Sequence, residues 1–297
     1  MRTLNFFKYM LLVVAIIGLN ACKKEGCTDK NAINYSVKAK KDDGTCKYET
    51  QETETYVLAK SVVDGDYTLE YYTEKGKFLT GYNAIKVKIK KADGTYVENV
   101  SMTWAPLMHM TSMSHACPAS SLTNKGTYNE GYMVFQMASN DTEYWDITLN
   151  YTINGVQNSN TSVVVVESAP KRIVQSFKGT DNVKYILALV EPKSPIVGTN
   201  DVKMVLYKMA SMTSFLPVES YSVKIDPRMP SMGNHSSPNN VHLTQGSDEF
   251  YYGKLNLTMT GYWKINLQLL DNAGTVLKGE EVTSTVEASS IYFEVEF

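Results

Sequence analysis

Along most of the chain apolar and polar residues alternate with a period of two, the pattern of strands that bury one face. Ile85, Val87 and Ile89 alternate with Lys86, Lys88 and Lys90 before an Asp93-Gly94 turn, which predicts a half-exposed strand entering a hairpin. Trp145, Ile147, Leu149 and Tyr151 alternate with Asp146, Thr148 and Asn150 before Asn154-Gly155. The pair recurs downstream: residues 202–207 form an apolar strand pattern, and Trp263, Ile265, Leu267 and Leu269 alternate with Lys264, Asn266 and Gln268 before a turn at 271–274. The spacing between the two sets is 117 to 121 residues, the internal self-similarity of a duplicated unit. No amphipathic helical pattern of useful length interrupts either set. The fold expected is all-β, with two tandem immunoglobulin-like β-sandwich domains at 56–168 and 169–297 and a junction near Ser168-Ala169-Pro170-Lys171.

Between paired strands lie two stretches of unusual composition. Residues 104–118 read Trp-Ala-Pro-Leu-Met-His-Met-Thr-Ser-Met-Ser-His-Ala-Cys-Pro, with three Met, two His and one Cys inside 108–118. Residues 226–238 read Asp-Pro-Arg-Met-Pro-Ser-Met-Gly-Asn-His-Ser-Ser-Pro. Pro106, Met108, His115 and Pro118 correspond to Pro227, Met229, His235 and Pro238, and Ser237 stands where the first copy has Cys117. All four His of the chain, at 109, 115, 235 and 242, fall within or just after these stretches. Thioether sulfur suits Cu(I), and imidazole suits copper in either oxidation state, so both stretches read as soft-metal loops with copper as the metal. In the first, Met108, Met113 and His115 are the expected ligands, with His109, Met110 and Cys117 competing for a further position. If the segment is extended, Met108 and Met110 point to one side and His109 to the other. In the second, Met229, Met232 and His235 make a possible three-coordinate Cu(I) site, and His242 is a weaker candidate. The competing reading is that Met fills gaps in a core; it is the one adopted for Met133, Met137, Met204 and Met259, which sit in apolar strand patterns.

The N-terminus changes the compartment. Arg2 and Lys8 precede an apolar run at 10–19, and Leu19-Asn20-Ala21-Cys22 follows, which resembles the lipobox of a bacterial lipoprotein. Residues 1–21 would then be a signal peptide, and Cys22 the lipid-bearing first residue of a chain held at a membrane of the cell envelope. The run is too short for a comfortable membrane span. Without Arg2 and Lys8 the chain carries 27 basic against 31 acidic residues, a net charge of −4. No basic cluster follows phosphates, which argues against nucleic acid as a partner.

Two further resemblances refine this picture. Gly26-Cys27-Thr28-Asp29-Lys30-Asn31-Ala32-Ile33-Asn34-Tyr35 and Asp42-Asp43-Gly44-Thr45-Cys46-Lys47-Tyr48 together resemble a short module of envelope and secreted proteins of the Bacteroidetes. That resemblance implies a disulfide between Cys27 and Cys46 within an anchor, module and linker region at 22–55. Asp29, Asp42 and Asp43 could offer oxygens to Ca²⁺, although Asp-Asp-Gly is equally a plain turn signal. The pairing leaves Cys117 as a lone thiol in an oxidising compartment, next to Met and His, where a metal thiolate, a redox group or an inert buried Cys are the alternatives. Further on, Pro106, Met108, Met113, His115, Gly131-Tyr132 and Trp145, and Met229, Met232, His235, Gly261 and Trp263, resemble the YtkA-like and FixH-like family of small extracytoplasmic β-sandwich domains. The resemblance covers most of 56–297 and implies copper handling or assembly of copper-containing oxidases, with an envelope protein that donates or accepts copper as partner. The first copy departs from it, with Glu143-Tyr144 before Trp145 and the additional His109, Met110 and Cys117.

An enzyme is not expected: there is no Gly-x-Ser-x-Gly elbow, His-Glu-x-x-His or Walker loop, and no carboxylate lies close in sequence to the clustered His as a general base. The alternative to a lipid-anchored copper-binding protein is a surface binding or adhesion module built from two sandwiches, for which 20 Tyr would be useful at interfaces.

Overall fold

The computed structural model describes residues 24–30, 32, 34–46 and 56–297. The expected signal peptide, Cys22 and the linker up to residue 55 lie outside the described residues. Two compact units divide the chain, one up to Glu54 and one from Thr55 to Phe297.

In the first unit a disulfide joins Cys27 and Cys46, as the module resemblance implies. Glu25 and Lys41 form an isolated bridge beside it. Asp42 accepts a hydrogen bond from the Gly44 amide, and Asp43 from the amide and hydroxyl of Thr45. Both carboxylates therefore do the work of a turn.

The second unit begins with a two-sheet sandwich. Its strands are β1 (Val57–Asp64), β2 (Tyr67–Thr73), β3 (Phe78–Leu79), β4 (Gly81–Lys91), β5 (Ser101–His109), β6 (Ser114–His115), β7 (Thr123–Asn124), β8 (Asn129–Phe135), β9 (Tyr144–Ile153), β10 (Val156–Val164) and β11 (Val166–Glu167). One sheet has the order β1-β2-β4-β8-β7, the other β10-β9-β5-β6, and β3 and β11 make a short parallel ladder. The alternation in β4 sets its orientation: Ile85, Val87 and Ile89 are fully buried, while the intervening lysines stay half-exposed. These side chains meet Trp145, Ile147 and Leu149 from β9 in one core. Each fully buried side chain of this size contributes about 1.5–3 kcal/mol through apolar surface withdrawn from water. Trp145 also packs against Phe135 and donates its indole N–H to the Met137 carbonyl at 3.0 Å, so its one polar atom is satisfied inside.

The remainder folds around a second core centred on Trp263, Tyr251 and Phe293. Its strands are β12 (Val174–Lys178), β13 (Lys184–Glu191), β14 (Gly198–Ser211), β15 (Ser214–Pro217), β16 (Ser222–Met229), β17 (His235–Ser236), β18 (Val241–Gln245), β19 (Phe250–Leu257), β20 (Tyr262–Leu270), β21 (Val276–Lys278) and β22 (Tyr292–Glu296). All eleven belong to one sheet with the path β12-β13-β14-β19-β18-β16-β20-β21. β18 pairs with both β19 and β16 and so joins what would be two separate sheets of a sandwich into a near-barrel. Among the described residues the only helix is a single 3-10 turn, Pro230–Met232.

The two halves are fused. The outer faces of β4 and β8 pack on those of β13 and β14, burying Tyr132, Val134, Ile186, Ala188, Val205 and Tyr207 in a third apolar cluster, with Tyr82 and Phe250 against it. The hydroxyls of Tyr132 and Tyr207 are 2.6 Å apart within it. An apolar seam of this kind makes one compact body from 55 to 297 rather than two beads on a linker.

Candidate functional site

The first Met- and His-rich stretch is a hairpin rather than a loop. β5 continues through Met108 and His109, the turn closes where the Met110 amide bonds the Met113 carbonyl, and β6 returns with Ser114 and His115. Pro106 is tolerated inside β5 because only β9 flanks the strand there, β6 pairing with no residue before Met108. Strand alternation then separates the expected ligands onto two faces.

On the inner face Met108 lies opposite His115 on one side and Trp145 on the other. Met108 is 0% exposed and belongs to the core, and Met110 packs against that core. The stretch reads as a loop in sequence; the structure corrects this for Met108, because β5 runs on through His109 before the turn begins. Met113, at the turn, is 52% exposed. On the outer face His109 stacks on its cross-strand neighbour Tyr144, ring centroids 4.8 Å apart, and its Nε2 lies 2.7 Å from Asp146 Oδ2. His109 is thus turned away from Met108 and His115. The His115 ring stands edge-on to Trp145, and its Nδ1 is 2.8 Å from the Ala116 carbonyl. A carbonyl only accepts, so Nδ1 carries a proton and, in the neutral ring, Nε2 is the nitrogen with the lone pair.

Cys117 is buried in the first core, and burial pushes its thiol pKa up. A thiol held protonated is a poor metal thiolate or nucleophile. Ser237, its counterpart, is also buried.

The second hairpin repeats the inner-face pairing. Met229 at the end of β16 lies opposite His235 in β17, and Met229 is buried in the second core together with Trp263. Met232, in the 3-10 turn, is 55% exposed, and His235 is exposed. Gly261 has φ +125°, and a Cβ there would come within 2.9 Å of the Met229 methyl, so this glycine makes room for the buried thioether. His242 accepts a hydrogen bond from the Ile225 amide through Nδ1 at 3.2 Å. Burial, with the nearby Lys224 charge, holds its imidazole below the ordinary value.

What surrounds the hairpins differs. The β14–β15 turn of the second half reaches the first hairpin, where the Ala116 amide donates to the Met212 carbonyl at 2.8 Å. Sequence reasoning missed this arm, since Met209, Met212 and Phe215 carry only a strand pattern.

No group of three or more His, Cys, Asp or Glu side chains gathers to hold a metal ion among the described residues. Apart from one 3-10 turn, the regular structure of the described residues is all β. Within it, residues 181–268 match the YtkA-like family profile, a segment from β13 into β20 that contains Met229, Met232, His235, His242 and Trp263. No curated protein matches the chain. Among solved structures, the Escherichia coli adhesin FdeC is 14% identical over 68% of this chain, with a TM-score of 0.23, and the chain spans 59% of that adhesin structure. A conserved domain protein from Bacillus anthracis is 11% identical, with 86% of this chain and 96% of that one covered and a TM-score of 0.32.

Proposed function

We propose that the chain is a non-catalytic binding protein of the cell envelope, tethered through lipid on Cys22, which holds its ligand in the cleft between its two fused halves. The observation that carries this reading is a cleft of about 650 Å³ lined from both halves and from the connecting segment. Its floor includes Tyr82, Ala84, Ile173 and Leu189, and lysines line its edge. Lys77 is paired with Glu167, Lys171 with Glu296 and Lys193 with Glu74, whereas Lys75 has no acidic partner among the described residues. An apolar floor with the unpaired Lys75 at its edge suits a ligand with an apolar face and an anionic group, such as an acidic oligosaccharide. Calorimetric titration of the mature chain with acidic and neutral oligosaccharides tests it. Preference for the acidic series, lost in Ala84→Trp with the fold intact, supports the reading; indifference of both proteins to every sugar ends it.

A second reading, Cu(I) binding for delivery to or from another envelope protein, is favoured by one specific observation. The Met108–His115 and Met229–His235 pairs are matched cross-strand neighbours in the two halves, and a YtkA-like segment contains the second. Substituting Met108, Met113, Met229 and Met232 by Leu preserves apolar volume, while His115→Gln and His235→Gln remove the imidazoles. Equal anaerobic Cu(I) affinity before and after these changes would remove the hairpins as sites.

A further inference from the structure

Beyond the hairpin pairs, a second set of thioethers converges on His115 from the other half of the molecule. A cavity of about 220 Å³ at the seam is lined by His115 from β6, Gln136 and Met137 from the segment after β8, Lys184 from β13, and Met209 and Met212 from the end of β14 and its turn. Three thioethers and one imidazole from three separate parts of the chain thus line one small space. We infer that a monovalent soft cation, Cu(I) or Ag(I), is held at this seam by His115 Nε2 with the thioethers of Met137, Met209 and Met212. The inference deepens the second reading above and rests on it, but moves the metal from the hairpin tip to the junction of the two halves.

Three features support the assignment. First, the hydrogen bond from Nδ1 to the Ala116 carbonyl fixes the tautomer that leaves Nε2 basic, as metal-ligating imidazoles require. Second, the Ala116–Met212 backbone bond pins the β14–β15 turn beside that imidazole, so Met212 is held near it although its side chain is 38% exposed. Met137 and Met209 are half-buried, within reach of the cavity and free to change rotamer on an unbranched stem. Third, Gln136 lines the same cavity, and its Oε1 is buried without a hydrogen-bond partner, an acceptor in the lining that no protein donor satisfies. The ligands are neutral and Lys184 lies on the rim, so a divalent ion would meet twice the repulsion of a monovalent one. Thioether ligation adds the preference for a soft ion over a hard one.

The test is Ag(I) titration of the mature full-length chain carrying ¹³C-methyl methionine, followed by NMR, with anaerobic Cu(I) competition in parallel. The methyl signals of Met137, Met209 and Met212 should move together and saturate at one equivalent. Met209→Leu with Met212→Leu, which keep apolar volume, should weaken Cu(I) by more than the roughly 10–100-fold that loss of a supporting partner costs. Met113→Leu with Met232→Leu and His235→Gln should leave that affinity unchanged. If the protein binds Cu(I) while only the Met113 and Met232 methyls respond, the seam site is wrong and hairpin binding stands. If no methyl moves and no Cu(I) is retained, both fall.

Discussion

The two Met- and His-bearing hairpins share an inner-face arrangement and differ in what covers them. Each places one thioether in a core, opposite an imidazole and near a tryptophan, with a further thioether exposed at its turn. The first lies under the β14–β15 turn of the other half, which bonds the residue after His115; His235 in the second is exposed. The lesson is that one local pattern does two jobs. The buried Met and the Trp are shared because each half packs them in its core, while the chemistry open to each imidazole is set by its neighbours.

The largest expected effect tests the shared part. Met108→Ala and Met229→Ala should each lose about 2–5 kcal/mol of stability in urea denaturation, through lost burial and the cavity left behind. Met113→Ala and Met232→Ala should stay within about 0.5 kcal/mol, as exposed substitutions do. If all four cost the same, the distinction between core and turn thioethers fails.

A smaller effect probes the seam. Tyr132→Phe leaves the Tyr207 hydroxyl without its partner in a buried cluster, which should cost about 1–3 kcal/mol. The double change with Tyr207→Phe should recover part of it, measured as a double-mutant cycle.

Gly261 and its counterpart Glu143 sharpen the comparison further. Gly261→Ala should cost about 1–3 kcal/mol from its left-handed backbone, whereas Glu143→Gly should cost no more than about 1 kcal/mol in backbone entropy.

Acid should separate the halves by the pH at which each responds. His242, in the second half, is held below its ordinary value mainly by burial. Its neutral form is favoured in the fold, so stability falls as pH drops from about 6.5 toward the folded value. Glu70, in the first, is 3% exposed; burial works to raise its pKa, but hydrogen bonds from Lys90, Tyr72 and Tyr96 outweigh that and hold it below the usual carboxylate range. Its contribution is complete above about 4.3 and is lost as pH falls through the folded value. Melting temperatures of His242→Gln and Glu70→Gln should flatten in these two windows respectively, by the smallest amounts of this series.

Much of the strand content was legible. The alternations at 85–90, 145–151 and 263–269 predict β4, β9 and β20 with the correct inward faces, because a half-buried strand repeats every two residues. Met133 and Met204, read as core, are fully buried. Legibility failed where period two met turn chemistry. The two stretches read as loops, yet β5 and β16 run on through Pro106 and Pro227 to Met108 and Met229, so these two Met belong to strands and not to the turns. The closure of the second half through β18 left no mark either, since a strand that pairs on both sides looks locally like any other. The seam was equally hidden: Tyr82, Tyr132, Ile186 and Tyr207 occupy ordinary strand positions, and nothing local says that both faces of those strands are covered.

That double covering bears on how the chain is made. During synthesis the residues up to 168 emerge first with the outward aromatics of β4 and β8 still waiting for β13 and β14, so the nascent half carries a sticky patch until its sibling arrives. Cutting the gene at the 168/169 boundary would therefore yield an aggregation-prone fragment rather than a tidy domain, and engineering of the first half alone must begin by replacing Tyr82, Tyr132 and Val134 with polar residues.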